Sequence, residues 1–126
     1  MRAIDTNVLV RLAVGDDARQ LAAADSFLKG GVWVSHLVLA EACWVLDYTY
    51  DMSAEQIIGV VERLLREEDT TLQEPDVVEA ALAGYRARPS VGFSDCLILE
   101  IARKAGHLPL GTFDRMLAKF EGGQLL

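Results

Sequence analysis

The feature that most constrains the fold is an alternation of short β-like runs with longer helical patterns. The sequence predicts strands at residues 2–4, 32–34, 70–73 and 108–110, with a short edge strand at 124–126. It predicts helices near residues 7–14, 17–29, 36–48, 54–68, 76–87, 94–105 and 115–121. Strands separated by helices usually pair in parallel, because a parallel connection has to cross over the sheet. The pattern therefore predicts an α/β fold with a central, mostly parallel sheet covered by helices.

Length and composition indicate a single domain over residues 1–126. Hydrophobic residues make up 52% of the chain and charged residues 25%, which is an ordinary balance for a globular protein. The sequence contains no internal repeat, low-complexity tract or linker. We therefore expect one domain with a single core.

The cysteines and the apolar runs predict the cellular compartment in which the protein works. Cys43 and Cys96 are far apart and lie within apolar runs, so we expect buried thiols in a reducing cytoplasm. Asp5 interrupts the N-terminal apolar run, so no signal peptide is expected. The apolar stretch at residues 37–46 is ten residues long and contains Glu41, which is too short and too polar to span a membrane. We expect a cytoplasmic protein.

The charge balance argues against a protein that binds nucleic acid without sequence preference. The chain has 19 acidic and 12 basic residues, a formal net charge of −7. Proteins that bind nucleic acid non-specifically usually neutralise phosphates with a basic surface.

Four carboxylates have unusual surroundings. Glu41 lies in the run LVLAEACWVL, in which every other residue is apolar, and it has no basic neighbour at helical spacing. Burying an unpaired carboxylate is costly, so such a group protonates or finds a cation. Asp5 ends the first predicted strand, Asp114 follows the last well-formed one, and Asp95 opens the run CLILEIA. The three Asp residues are open to a second interpretation as helix N-caps, whereas Glu41 is not.

Position along the strands suggests that these acids meet. Ligands of open parallel sheets bind outside the carboxyl ends of the strands. Carboxylates gathered there without Lys, Arg or His repel one another unless cations lie among them. Oxygen-only ligands select hard ions, so the pattern predicts a site for Mg²⁺ or Mn²⁺.

Four segments resemble one known family. The segments IDTNVLVRL, SHLVLAEACWVL, FSDCLILEIARKAG and GTFDRMLAKF resemble, in this order, motifs of the PIN-domain nucleases, and more narrowly of VapC-type toxins of toxin–antitoxin pairs. The resemblance implies a PIN-like three-layer α/β/α sandwich. It places the family's acidic set on Asp5, Glu41, Asp95 and Asp114, and its supporting polar positions on Thr6, Asn7 and Thr112.

The resemblance also implies a function. Such proteins are metal-dependent endoribonucleases that cut single-stranded or loop RNA, form homodimers, and are inhibited by an antitoxin whose C-terminal segment occupies the active-site groove. Mg²⁺ or Mn²⁺ held by Asp5, Asp95 and Asp114 would activate water and neutralise the scissile phosphate. Glu41 would complete the metal shell or orient the water, while Asn7 and Thr112 would orient ligands through hydrogen bonds. This chemistry needs no histidine, so we expect incidental surface or capping roles for His36 and His107.

RNA also needs positive groups. Arg86 and Arg88 lie in the segment YRARPSVGFSD, interpreted as a loop, and Arg11 and Arg115 are near proposed ligands in sequence. Each has the alternative role of an ordinary solubilising charge. The helix predicted from Ala54 is apolar over more than one stripe, which indicates either deep burial or a face for a partner such as an antitoxin helix.

Two other functional classes were compared with the nuclease. A phosphatase that forms an aspartyl-phosphate would need a D-x-D pattern after the first strand, but position 7 is Asn. The remaining alternative is a non-catalytic PIN-like or receiver-like module that binds Mg²⁺ at an acidic pocket. A receiver would have adjacent acids after the first strand and a late Lys near the pocket, and neither is evident.

Overall fold

The computed structural model describes residues 1–126, and every strand pair in it is parallel. Strands β1 (Arg2–Ala3), β2 (Val32–Val34) and β3 (Thr70–Leu72) form one sheet in that order, and β4 (Leu110–Thr112) pairs with β5 (Gly123–Leu125) in a second sheet. The helices are α1 (Thr6–Val14), α2 (Ala18–Leu28), α3 (His36–Tyr48), α4 (Ala54–Arg66), α5 (Pro75–Ala87) and α6 (Phe93–Ala105). The predicted α/β class with parallel pairing is confirmed.

The chain divides into two compact units, residues 1–75 and 76–126. In the first unit, β2 alternates in burial, with Val32 and Val34 inside and Trp33 38% exposed. Helix α1 packs against α2 and α3, and α4 packs against β3 and α3. The three-stranded sheet is thus covered by helices whose apolar side chains complete the core.

Helix α4 combines a sharp start with a partly covered apolar face. The Ser53 hydroxyl accepts a hydrogen bond from the amide of Gln56, whose side chain accepts one from the amide of Ser53, and this is the predicted capping box. Ile57 and Val61 are fully buried, but Val60 and Leu64 are only half-buried. The helix is therefore a core element that keeps part of its apolar surface accessible.

The second unit is built on helices α5 and α6. Its core includes Val78 and Leu82 of α5 and Leu97 of α6. Tyr85 meets Phe93 edge-on with ring centroids 6.0 Å apart, a favoured aromatic arrangement. Two short 3₁₀ turns, Pro89–Val91 and Leu117–Lys119, connect the longer elements.

Two predicted elements differ from the structure near the C-terminal end. The strand predicted at residues 108–110 lies instead at Leu110–Thr112, because Pro109 has no N–H for a ladder and the first bond is donated by the Leu110 amide to the Gly122 carbonyl (2.7 Å). The helix predicted at 115–121 is only the 3₁₀ turn Leu117–Lys119, because the chain has to enter β5 at Gly123.

The cysteines and histidines complete the comparison. Cys43 and Cys96 are buried free thiols, as predicted, and burial raises the pKa of each to about 12. His107 is exposed as expected, but the surface or capping role expected for His36 is wrong, because His36 is buried and the cap of α3 is Ser35. His36 is only 8% exposed, and its Nε2 atom has no hydrogen-bond partner. His36 begins a helix that packs onto the core, and the residues next to it in sequence do not reveal this packing. No helix has the length and apolar character needed to cross a membrane.

The capping box gives a test of the fold. We expect Ser53→Ala to lower the free energy of unfolding by about 1 kcal/mol, because the Gln56 amide loses its acceptor. Chemical denaturation of both proteins measures the difference. The matched control is Ser26→Ala, an exposed position within α2, where no loss is expected. Equal losses in the two variants would contradict the assignment.

Candidate active site

Asp5 lies two residues after the end of β1 and caps α1. Its Oδ1 atom accepts a hydrogen bond from the Val8 amide at 3.1 Å, so the N-cap interpretation is confirmed. The residue remains exposed, and a cap uses only one of its two carboxylate oxygens. Capping and ligand binding are therefore compatible roles for this side chain.

Glu41 lies on an exposed stripe of α3, not on a buried face. Its neighbours at helical spacing, Leu37 and Trp44, are 69% and 57% exposed, so the apolar face identified in the sequence is open to solvent. A carboxylate oxygen of Glu41 accepts a 2.8 Å hydrogen bond from the Thr6 hydroxyl. Thr6 thus links the start of α1 to this acid and fixes the direction in which Glu41 points.

Asp95 lies in the first turn of α6 and does not cap it. The N-cap is Gly92, which has no side chain to bond with, so the capping interpretation of Asp95 is wrong. The pKa of Asp95 is raised, first by burial and second by the Asp114 carboxylate, and no basic side chain offsets either effect. Asp95 and Asp114 are therefore close enough to repel each other.

Asp114 is held by the backbone that follows it. Its Oδ1 atom accepts hydrogen bonds from the amides of Met116 (2.8 Å) and Leu117 (3.2 Å), and its own amide donates to the Thr112 hydroxyl at 3.0 Å. Thr112 and the 3₁₀ turn thus fix the position of this acid.

The predicted site residues fall into two local groups. Asp5, Thr6 and Glu41 belong to the first unit, and Asp95, Thr112 and Asp114 belong to the second. No group of three or more His, Cys, Asp and Glu side chains is close enough to hold a metal ion. The pair Asp95–Asp114 nevertheless fits a hard cation, because Mg²⁺ is commonly held by one or two carboxylates and completes its shell with water and phosphate.

The arginines proposed to contact RNA have varied surroundings. Arg11 is tied to Asp16 at 3.2 Å and to the Tyr50 hydroxyl at 2.8 Å, and the Tyr50 bond is the main cause of its raised pKa. Arg86 lies in the last turn of α5, inside the helix predicted near 76–87 and not in the loop predicted from YRARPSVGFSD. The guanidinium of Arg88 is 5.6 Å from the ring centroid of Phe120. Arg115 is exposed, directly after Asp114.

Sequence reasoning missed a cavity beside Asp5. It lies at the end of β1, along α1 and α2, and has a volume of about 630 Å³. Its lining includes Asn7, whose side-chain amide makes no hydrogen bond, and also Gln20 and Phe27. Asn7 was the one sequence signal for this cavity, although we expected its amide to orient a ligand, and the structure gives it no hydrogen bond to any of the four acids.

The comparisons with known proteins agree with this architecture. The family model of the PIN domain matches residues 3–123, and the chain therefore belongs to the PIN domain family. Members of this family have a nuclease-type fold and are generally metal-dependent nucleases. No curated protein and no solved structure matches the chain.

The carboxylate pair gives a pH-dependent prediction. Because folding raises the pKa of Asp95, ionisation of this carboxyl weakens the folded state at neutral pH. The penalty disappears as the pH falls below the pKa of an unfolded Asp, about 3.9. We therefore expect Asp95→Asn to have a higher Tm than the wild type at pH 7, with a difference that shrinks toward pH 3.5.

The control for this measurement is Asp76→Asn. A hydrogen bond from Lys104 lowers the pKa of Asp76, so its charge stabilises the fold above the unfolded pKa and stops doing so as the pH falls. The control variant should have a lower Tm than the wild type at pH 7. A lower Tm for Asp95→Asn as well would show that Asp95 is held by favourable interactions.

Proposed function

We propose that this protein is a metal-dependent endoribonuclease that acts in the cytoplasm as the toxin of a toxin–antitoxin pair. The observation that carries the proposal is Asp95, a half-buried carboxylate whose pKa is raised by burial and by the Asp114 carboxylate, with no basic side chain to offset either effect. A structural role would not need such a group, because a half-buried and repelled carboxylate weakens the fold. The chain belongs to a family of generally metal-dependent nucleases, and binding of a metal ion would account for the two acids.

The proposed ligands of Mg²⁺ or Mn²⁺ are Asp5, Asp95 and Asp114. When bound, the ion supplies an activated water molecule and positive charge toward the scissile phosphate. The protein's own part is to hold these oxygens in place: the Val8 amide fixes Asp5, and the amides after Asp114 fix that acid.

Glu41 is proposed to orient the attacking water or to complete the metal shell. The hydrogen bond from Thr6 keeps one of its oxygens engaged and the side chain directed. Thr112 acts in the same way on Asp114 through the backbone. Groups that orient ligands in this way typically change activity by roughly 10–100-fold when removed.

Cleavage of a mixed RNA substrate tests the proposal directly. With Mg²⁺ or Mn²⁺ we expect Asp5→Asn to lose more activity than the roughly 10–100-fold loss expected of Thr6→Val, because the first removes a ligand and the second only orients one. Chelator should abolish cleavage by the wild type. The matched control is Asp69→Asn, an exposed acid outside the proposed site, which should cleave like the wild type.

Two outcomes of this assay would contradict the proposed nuclease activity. One is equal cleavage by wild type and Asp5→Asn, and the other is cleavage that survives the chelator. If Mg²⁺ raises the Tm of the wild type but no RNA is cut, the chain is instead the non-catalytic module that binds Mg²⁺ at its acidic residues.

Two surfaces of the first unit support the toxin role. A groove of about 330 Å³ runs along α1, α2 and α4 and is lined largely by apolar side chains, among them Leu12, Leu21 and Leu64. Such a groove suits an amphipathic helix of an antitoxin. On α3, Trp44 and Tyr48 stack at 5.0 Å and are exposed, which supports a contact with a second copy in a homodimer.

Expression in a bacterial host tests the toxin role. We expect the wild type to arrest growth, Asp5→Asn to leave growth unchanged, and the product of a short reading frame adjacent to this gene to restore growth. Val60→Lys in the groove should remain toxic, which shows that it folds, but should escape the rescue because it places a charge on the apolar surface. Rescue of Val60→Lys as efficient as that of the wild type would exclude this groove.

A further inference from the structure

The cavity beside Asp5 has the character of a ligand site. Its volume of about 630 Å³ falls within the range of roughly 300–1,000 Å³ that is usual for small-molecule pockets. It lies within the first unit, where the end of β1, α1 and α2 form its walls. It shares Asp5 with the proposed catalytic site, so its occupant would lie next to the reacting groups.

One side of the cavity offers hydrogen-bonding groups with no partner in the protein. The side-chain amide of Asn7 keeps both its donor and its acceptor available. Gln20 accepts a bond from Nε of Arg11 at 2.7 Å through Oε1, and this fixes the orientation of its amide. The NH₂ group of Gln20 therefore remains as a donor. Together the two amides can form hydrogen bonds with the polar edge of a ligand.

The other side is apolar and includes an aromatic ring. Val8, Ala23 and Phe27 line it, and Phe27 is 37% exposed. The guanidinium of Arg2 lies 3.9 Å from the centroid of the Phe27 ring and also donates to the Phe27 carbonyl at 2.8 Å. Arg2 is not part of the cavity lining and its guanidinium covers one face of the ring, so the face available to a base is the opposite one. A half-exposed ring held in this way is a ready stacking surface.

The cavity lining offers a phosphate no free basic group. Asp5 contributes a carboxylate, whose charge is available only to the proposed metal ion. Arg11, the one basic residue of the lining, is already paired with Asp16 and bonded to Tyr50 and Gln20. A ligand that fits must be flat, uncharged and polar at its edge, and a nucleobase has these properties.

We propose that this cavity receives a nucleobase of the RNA substrate, close to the bond that is cut. The proposal rests on the proposed nuclease function and adds a determinant of substrate choice to it. The base stacks on Phe27, and the amides of Asn7 and Gln20 bond to its edge. Arg11, in this view, is a positioning residue that holds Gln20 and does not contact the RNA backbone.

Binding is measured separately from cleavage, with the full chain in chelator and NMR signals of the Asn7 and Gln20 side-chain amides as the readout. The probes are the four nucleosides and single-stranded RNA hexamers of one base each. We expect at least one nucleoside and the matching hexamer to shift both amide signals. Phe27→Leu, which keeps the apolar volume but removes the ring, should weaken that binding about tenfold.

Two further variants make the test decisive. Ala23→Leu lies on an exposed helix position and should block binding by filling the cavity, without loss of Tm. Trp33→Leu removes an aromatic ring of nearly the same exposure (38%) outside the cavity lining and should bind like the wild type. In cleavage assays with metal, Phe27→Leu should lose the preference for that base next to the cut while still cutting RNA.

The outcomes separate this proposal from the nuclease itself. If RNA is cut but no probe shifts the two amide signals, the base site is wrong and the nuclease stands. If nucleosides bind in the cavity but no RNA is cut, the base site stands and the nuclease fails. If only an antitoxin peptide shifts the signals, the cavity belongs to a protein partner and the proposal is overturned.

Discussion

Parallel pairing of β1 with β2 and β3 determines where the chemistry of the first unit can be. Parallel strands point the same way, so the residues that follow them leave the sheet at one edge. Asp5 follows β1 at this edge, and Gln73, after β3, accepts a hydrogen bond from the amide of His36 at the start of α3. The start of α3 in turn sets the direction of the helix that carries Glu41.

The same polar contacts serve the fold and the proposed site. Asp5 and Asp114 each accept backbone amides through Oδ1, which stabilises the turn or helix that follows them and fixes the side chain. Asp95 differs because nothing in the chain compensates its charge. Two acids are thus held by the fold for its own stability, and the third is held at a cost. The proposed role of Asp95 as a metal ligand would account for that cost.

Local patterns predicted most of the secondary structure, and the misses have physical causes. The bounds of β2 and α3 follow from the sequence because Val32 and Val34 alternate with Trp33 and because Ser35 caps α3 with its hydroxyl. The last strand was misplaced because Pro109 cannot donate to the ladder. The exposure of Glu41 and the burial of His36 escaped prediction because they depend on which face of α3 packs against α1, a tertiary contact with no local signature.

The net negative charge of the chain limits the interactions by which it could bind RNA. A net charge of −7 removes most of the general attraction to phosphates that basic proteins use, and the structure commits Arg11 to Asp16. In the proposed nuclease, affinity for RNA would then come from short-range contacts, namely a cation at the carboxylates and stacking of bases on aromatic rings. Stacking depends little on the salt concentration, whereas phosphate contacts weaken as the salt concentration rises. An enzyme of this kind should therefore choose RNA by the bases near the cut, and the cavity at Asp5 is where such a choice would be made.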